Sequence, residues 1–208
     1  MARRRGVIGR SGPSGNAPVP PRWLRTGPLS GVVRYAAGSS WFRCHKQIDE
    51  PVFFGPGAGI APKHRFDAPA GEYQVLYVGL NYEAAFIETF LRNPKRRTVD
   101  WVDLDIRNMA VLNNDAPLRL VKAYGEGLSL LGTTAALSTG GYREARKWEH
   151  RDRPDGLIYS SRHNPNHLCA AIFNRPHATF SRWRTEPLLS DERRIRDLLT
   201  AHGKSIIK

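Results

Sequence analysis

Within the run from Arg65 to Arg92, three side chains could do chemistry together: the Arg65 guanidinium, the Tyr77 phenol and the Glu88 carboxylate. A guanidinium grips phosphate oxygens through paired N–H donors. A carboxylate stabilises positive charge developing on a sugar ring, and a phenol stacks on a base or orients a hydroxyl. That set suits a phosphorylated, ribose-bearing ligand. Each residue also has a plainer reading: Arg65 paired with Asp67, Glu88 paired with Arg92 one helical turn on, and Tyr77 as a half-buried strand tyrosine with its hydroxyl satisfied.

The elements that must position these groups are legible. An Arg-Phe-Asp turn leads through a Pro/Gly loop into QVLYVG, a β-rich run bounded by Gly71 and Leu80-Asn81. Asn81 suits an N-cap and Glu83 suits the first helical turn. The helix then runs to about Arg92 and stops before Pro94. Ala84, Ile87 and Leu91 form its buried stripe, widened by Phe86 and Phe90. At 100° per residue Glu88 lies about 40° from Ala84, on the flank of that stripe, where a carboxylate borders a cleft without entering the core.

Around this segment, VVRYAA reads as a first element, WFRCH as a strand, and the Gly/Pro-broken PVFFGPGAGIAP as an irregular loop bordering a pocket. TVDWVDLD, NMAVLNN and PLRLVKA read as further strands, and a helix is expected from Thr133-Thr134 with a break at Gly140-Gly141. GLIYSS, LCAAIF and HATFSRW continue the strand pattern. A last helix, SDERRIRDLLTAHG, is expected to be capped by Ser190 and stopped by Gly203. Short strands mixed with a few helices, without βαβ alternation, predict an α+β fold with a single mixed-sheet domain over residues 31–208.

The 208 residues carry a formal charge of +13. Nine Lys/Arg precede the first acidic residue, Asp49, so the remaining chain is only about +4. Residues 1–30 are rich in Arg, Gly, Ser and Pro and read as a disordered tail, either a solubilising one or an arm for an acidic or nucleic-acid partner. With no long apolar run and no secretory h-region, a cytoplasmic, membrane-free protein is expected. Two cysteines, Cys44 and Cys169, are too few for a disulfide scaffold. His163, His167 and Cys169 lack tight metal-ligand spacing, so no metal is expected.

The run from Phe53 through HRFDAPAGEYQVLYVG to AFIETFLR, followed by RPDGLIYSSRHNP and LCAAIFNR, resembles the RES-domain family over roughly residues 40–200. The resemblance implies a fold related to ADP-ribosyltransferases and the toxin of a type II toxin–antitoxin pair. It further implies cleavage of the nicotinamide–ribose bond of NAD+, with inorganic phosphate or water as acceptor and no cofactor. The implied protein partner is an Xre-like helix-turn-helix antitoxin, which blocks the active site and is the route to DNA. Carried over by motif, Arg65, Tyr77 and Glu88 are the catalytic set. Ser161, in a run with Ser160 where the family often has Pro, and the strand residue Arg43 are substrate-binding. The rival expectations are an ADP-ribosyltransferase acting on a macromolecule and a basic nucleic-acid-binding module.

Overall fold

A computed structural model describes residues 31–57, 59–68, 73–131 and 154–207. The basic segment 1–30 and the helix expected near residues 133–150 lie outside the described residues. The strands are β1 (Val32–Tyr35), β2 (Ser40–Lys46), β3 (Val75–Gly79), β4 (Thr98–Asp100), β5 (Arg107–Asn113), β6 (Leu118–Ala123), β7 (Gly156–Ser160), β8 (Leu168–Phe173), β9 (Arg182–Pro187) and β10 (Ser205–Ile207). The helices are α1 (Tyr82–Phe90), α2 (Trp101–Asp105), α3 (Glu126–Leu130) and α4 (Glu192–Ala201). None is long and apolar enough to cross a membrane.

Eight strands form one sheet in the order β1-β6-β7-β8-β3-β2-β5-β9, and β10 pairs with β4 in a separate ribbon. Every neighbouring pair in the large sheet is antiparallel except β6–β7. This is the mixed α+β architecture the short-strand pattern predicts.

Alternation along the strands divides the interior. Trp41, Leu76, Val78, Leu112, Leu120 and Ile172 point to one face and share a continuous core. On the other face the core is in two parts. Val75, Tyr77, Leu157, Tyr159 and Phe173 pack with Phe66, whereas Phe42, Cys44 and Met109 pack with α1 and α4 through Phe86, Ile87 and Ile195.

The sheet curls around its shared face. β1 and β2 are joined by a tight turn yet lie far apart in strand order, and the Tyr35 and Trp41 rings meet at 4.8 Å. Asn114, only 1% exposed, pins the turn. Its Oδ1 accepts from Trp41 Nε1 at 3.0 Å, and its Nδ2 donates to Ala36 O and Ala116 O, both at 2.8 Å. A buried amide with its donors and acceptor engaged specifies this closure.

Between the two parts of the divided face the sheet nearly comes apart. β2 and β3 pair at one position, Phe42↔Gly79, whereas β2 and β5 pair at seven. Gly79 sits directly under the start of α1: a Cβ there would lie 2.5 Å from Ala85 N and 2.8 Å from Asn81 O. Asn81 caps α1 as the sequence predicts, its Oδ1 accepting from Ala84 N at 2.8 Å, a contact worth about 1 kcal/mol.

Three expectations need correction. TVDWVDLD is not one strand: after β4 it turns into α2. Val102 is 67% exposed and Leu104 fully buried, a contrast that two same-side strand positions could not give. The last strand of the large sheet is Arg182–Pro187, beyond most of HATFSRW. The cap of α4 is Asp191, which accepts from Arg194 N at 3.1 Å, while Ser190 Oγ donates back to Pro187 O.

The contact beneath α1 makes a stability prediction. Gly79→Ala should cost about 1–3 kcal/mol through overpacking against backbone that cannot yield. A denaturant midpoint equal to that of the parent chain would show that α1 does not sit so tightly on β3.

Candidate active site

A cleft of about 820 Å³ opens where β2 and β3 part. β2 contributes Arg43 and Cys44, β3 contributes Tyr77 and Gly79, α1 contributes Glu88, and Arg92 follows just past the end of that helix. The loop from 48 to 67 forms the outer wall with Phe53, His64 and Arg65, and the turn after β7 closes the far end with Arg162 and His163. Arg65, Tyr77, Glu88 and Arg43 therefore all line one cleft.

Glu88 is on the flank of α1 that the helical geometry predicts, half-buried. Its carboxylate is not paired with Arg92, whose Nε donates instead to the Glu88 backbone carbonyl. Oε1 accepts from Ser161 Oγ at 2.7 Å and from Arg162 N at 3.2 Å. Ser161, 2% exposed, accepts in turn from His163 N at 3.2 Å. It is Ser161 rather than Ser160 that meets α1; Ser160 is the last residue of β7, opposite Leu168. The Ser161 hydroxyl thus holds Glu88, which lines the cleft, while Ser161, expected as a substrate-binding residue, is not itself among the lining residues.

Arg65 is not paired with Asp67. Its guanidinium lies over the Tyr159 ring at 4.9 Å and near the Phe66 ring at 5.5 Å. Its Nη1 is buried and has no hydrogen-bond partner among the described residues. A guanidinium seated on an aromatic face keeps its positive charge at the cleft wall without a carboxylate partner among the described residues.

Asp67, fully buried, is engaged elsewhere. Its Oδ2 accepts from Lys63 N at 2.7 Å and His64 N at 2.6 Å, and its Oδ1 accepts from the Tyr77 hydroxyl at 2.9 Å. The Tyr77 oxygen accepts from Phe66 N at 2.9 Å. Burial and the Asp67 carboxylate push the phenol far above its usual range. Tyr77 is thus a strut that fixes the Arg65 turn to β3, and its hydroxyl is fully occupied. This is the plainer reading of that tyrosine.

Arg43 is likewise engaged. Its Nη1 donates to Pro51 O at 2.7 Å, and its guanidinium lies 5.8 Å from the Phe53 ring centroid. Its position on the cleft wall is as expected, but the contact it makes is with the loop.

The cleft lining carries five arginine or lysine side chains and four aspartates or glutamates. Burial keeps His64 below its usual pKa against the pull of Asp67, and burial likewise lowers His163 against the pull of Glu88. Both imidazoles are therefore neutral near pH 7. Burial pushes the Cys44 thiol up to about 11 and Cys169 higher still, so neither is a thiolate nucleophile at neutral pH. No three His, Cys, Asp or Glu side chains among the described residues are grouped to hold a metal ion.

Sequence reasoning missed Asp67 as the keystone of the turn and Tyr159 as the platform for Arg65. Asp67 carried a signal, an acid two residues after the arginine within a Pro/Gly-flanked turn. Tyr159 carried less, since its position beside Arg65 depends on β7 and β3 flanking β8.

Removing the Tyr77 hydroxyl takes the donor from buried Asp67 Oδ1 and one acceptor from Phe66 N. Tyr77→Phe should lower unfolding free energy by about 1–3 kcal/mol. An unchanged denaturant midpoint would mean that the phenol is not the strut described.

The fold has a counterpart among solved structures. A structure search returns, with 10% sequence identity and a TM-score of 0.55, a chain of the crystal structure of the M. tuberculosis MbcT–MbcA toxin–antitoxin complex; the match covers 78% of this chain and 91% of that one. At that identity the likeness is one of fold. No curated protein matches the chain by sequence. The RES domain family model matches residues 40–197, which include β2, the whole cleft and most of α4. The protein is a member of the RES domain family.

Proposed function

We propose that the protein is the toxin of a toxin–antitoxin pair and cleaves the nicotinamide–ribose bond of NAD+. The observation that carries this reading is one carboxylate, Glu88, held by Ser161 Oγ and Arg162 N at the edge of a cleft whose wall also includes Arg65, a guanidinium with no carboxylate partner among the described residues. Membership of the RES domain family and the fold shared with a toxin–antitoxin complex support it.

The chemistry asks for little more. The C1′–N bond breaks heterolytically and its electron pair returns to the pyridinium ring, so nicotinamide departs neutral and needs no general acid. The ribose is left with oxocarbenium character. A negative charge fixed beside it, already oriented by two donors, stabilises the transition state without reorganisation. Arg65 binds a phosphate of the dinucleotide, and Tyr159 and Tyr77 hold the guanidinium and its turn in place. Water or inorganic phosphate then adds to C1′; a water acceptor loses its proton to solvent. A helix-turn-helix antitoxin of Xre type is the proposed protein partner, with DNA contacted only through it.

Purified protein free of antitoxin should release nicotinamide from NAD+, in the presence or absence of phosphate. Glu88→Gln should lower turnover at least about 100-fold with the fold retained. No nicotinamide release by the parent chain would end the proposal, and ADP-ribose attached to a macromolecule would redirect it to a transferase. Near-normal turnover in Glu88→Gln would remove Glu88 from its role.

A further inference from the structure

The cleft lining carries exposed apolar side chains that the chemistry above does not use. Of the eight large hydrophobic side chains that stand exposed on the described surface, three line this cleft: Ile48 at 89%, Phe53 at 55% and Ile60 at 54%. Scattered exposed apolar residues are ordinary, whereas three on the lining of one charged cleft are not.

The Phe53 ring is also held in place. It lies so close over Gly55 that a Cβ there would meet Phe53 Cε1 at 2.6 Å. Gly55 itself is tied to the start of β3 by two backbone hydrogen bonds, Gly55 N to Val75 O at 3.1 Å and Val75 N to Gly55 O at 2.8 Å. The Arg43 guanidinium lies against the ring and anchors the Pro51 carbonyl. An aromatic side chain fixed in this way and still half-exposed costs little further ordering when a partner stacks on it.

Its position identifies the partner. Phe53 and Gly55 stand at the Val75 end of β3. Ser161 follows the strand position opposite Leu168, whose carbonyl accepts from Leu80 N just past the Gly79 end, so the Glu88–Ser161 contact lies toward that other end. At about 3.3 Å per residue those strand ends are about 13 Å apart. The unpaired Arg65 belongs to the turn that Tyr77, midway along β3, secures. An anion held there would have the Glu88 carboxylate on one side and the Phe53 platform on the other.

We infer that Phe53 is a stacking platform for the purine of an adenine nucleotide whose phosphates lie at Arg65, and that it sets the preference for a dinucleotide over a mononucleotide. The inference rests on the reading of the cleft as an NAD+ site but concerns the half of the ligand remote from bond cleavage. Stacking of a base on an aromatic side chain is tolerant of base identity, so discrimination falls on the presence of the adenosine half more than on its edge.

The test uses ADP, which carries purine, ribose and pyrophosphate but no scissile bond, and ribose 5-phosphate as a base-free control. Calorimetric titration should show Phe53→Ala binding ADP roughly tenfold more weakly than the parent, with ribose 5-phosphate unchanged and Phe53→Trp restored to parental affinity. The unfolding temperature, which should not move because the ring is half-exposed, checks the fold of each variant. Equal ADP affinity in parent and Phe53→Ala, or equal losses for ADP and ribose 5-phosphate, would overturn the inference. A protein that binds ADP through Phe53 and releases no nicotinamide would retain this site and lose the proposed reaction. Nicotinamide release with ADP binding indifferent to Phe53 would do the reverse.

Discussion

The single register pair between β2 and β3 is the constraint on which the molecule turns. A sheet whose neighbouring strands pair along their full length presents two closed faces. Here the middle of an eight-stranded sheet is joined at Phe42↔Gly79 alone, so one face stays continuous and the other separates into two cores. The gap between those cores is the cleft. Gly79 serves both sides of this arrangement, allowing the one remaining strand contact and letting α1 descend onto β3. Closer pairing would bury the polar groups of β2 and β3 against each other and leave Glu88 facing a packed interior.

The groups in that gap sort into those that are satisfied and those that are not. Asp67, Tyr77 and Ser161 have hydrogen-bond partners within the protein, and each supports a neighbour: Asp67 the turn, Tyr77 the link from turn to strand, Ser161 the carboxylate. Arg65 retains an unanswered donor. Preorganisation of this kind needs both classes, since a ligand-facing charge is only as well placed as the buried bonds behind it.

Much of this was legible in the sequence where the determinants are local. The Asn81 cap, the QVLYVG strand and the flank position of Glu88 follow from residues within one or two turns of each other, and the structure has them as expected. Motif order carried Arg43, Arg65, Tyr77 and Glu88 only as a series along the chain; their meeting in one cleft was implied by the family resemblance and not by any spacing. What each side chain touches was not legible. The Tyr77 hydroxyl chose Asp67, ten residues away across a loop, and Ser161 chose Glu88, 73 residues away. Choices of that sort depend on which strands become neighbours, and β3 lies between β8 and β2 for reasons of core packing that no local pattern carries. The turn at Trp101 was misread for a smaller reason: alternating apolar and acidic residues satisfy a strand template even when one helical turn buries the leucine better.

The strand order also has a consequence for synthesis. β3 waits for β8, so the pairing that begins at Val75 is complete only when Phe173 has been made, and β1 at the sheet edge waits for β6. Pairings this distant in sequence are slow to close and form late on a ribosome that releases the chain from its N-terminus. The residues that hold Glu88 lie at 161 and 162, beyond three quarters of the 208-residue chain. A nascent chain halted before them has the helix and its carboxylate but no partner to aim it. The Glu88 side of the cleft is therefore assembled late in translation, and a product that stops before residue 161 lacks the two hydrogen bonds that orient the carboxylate.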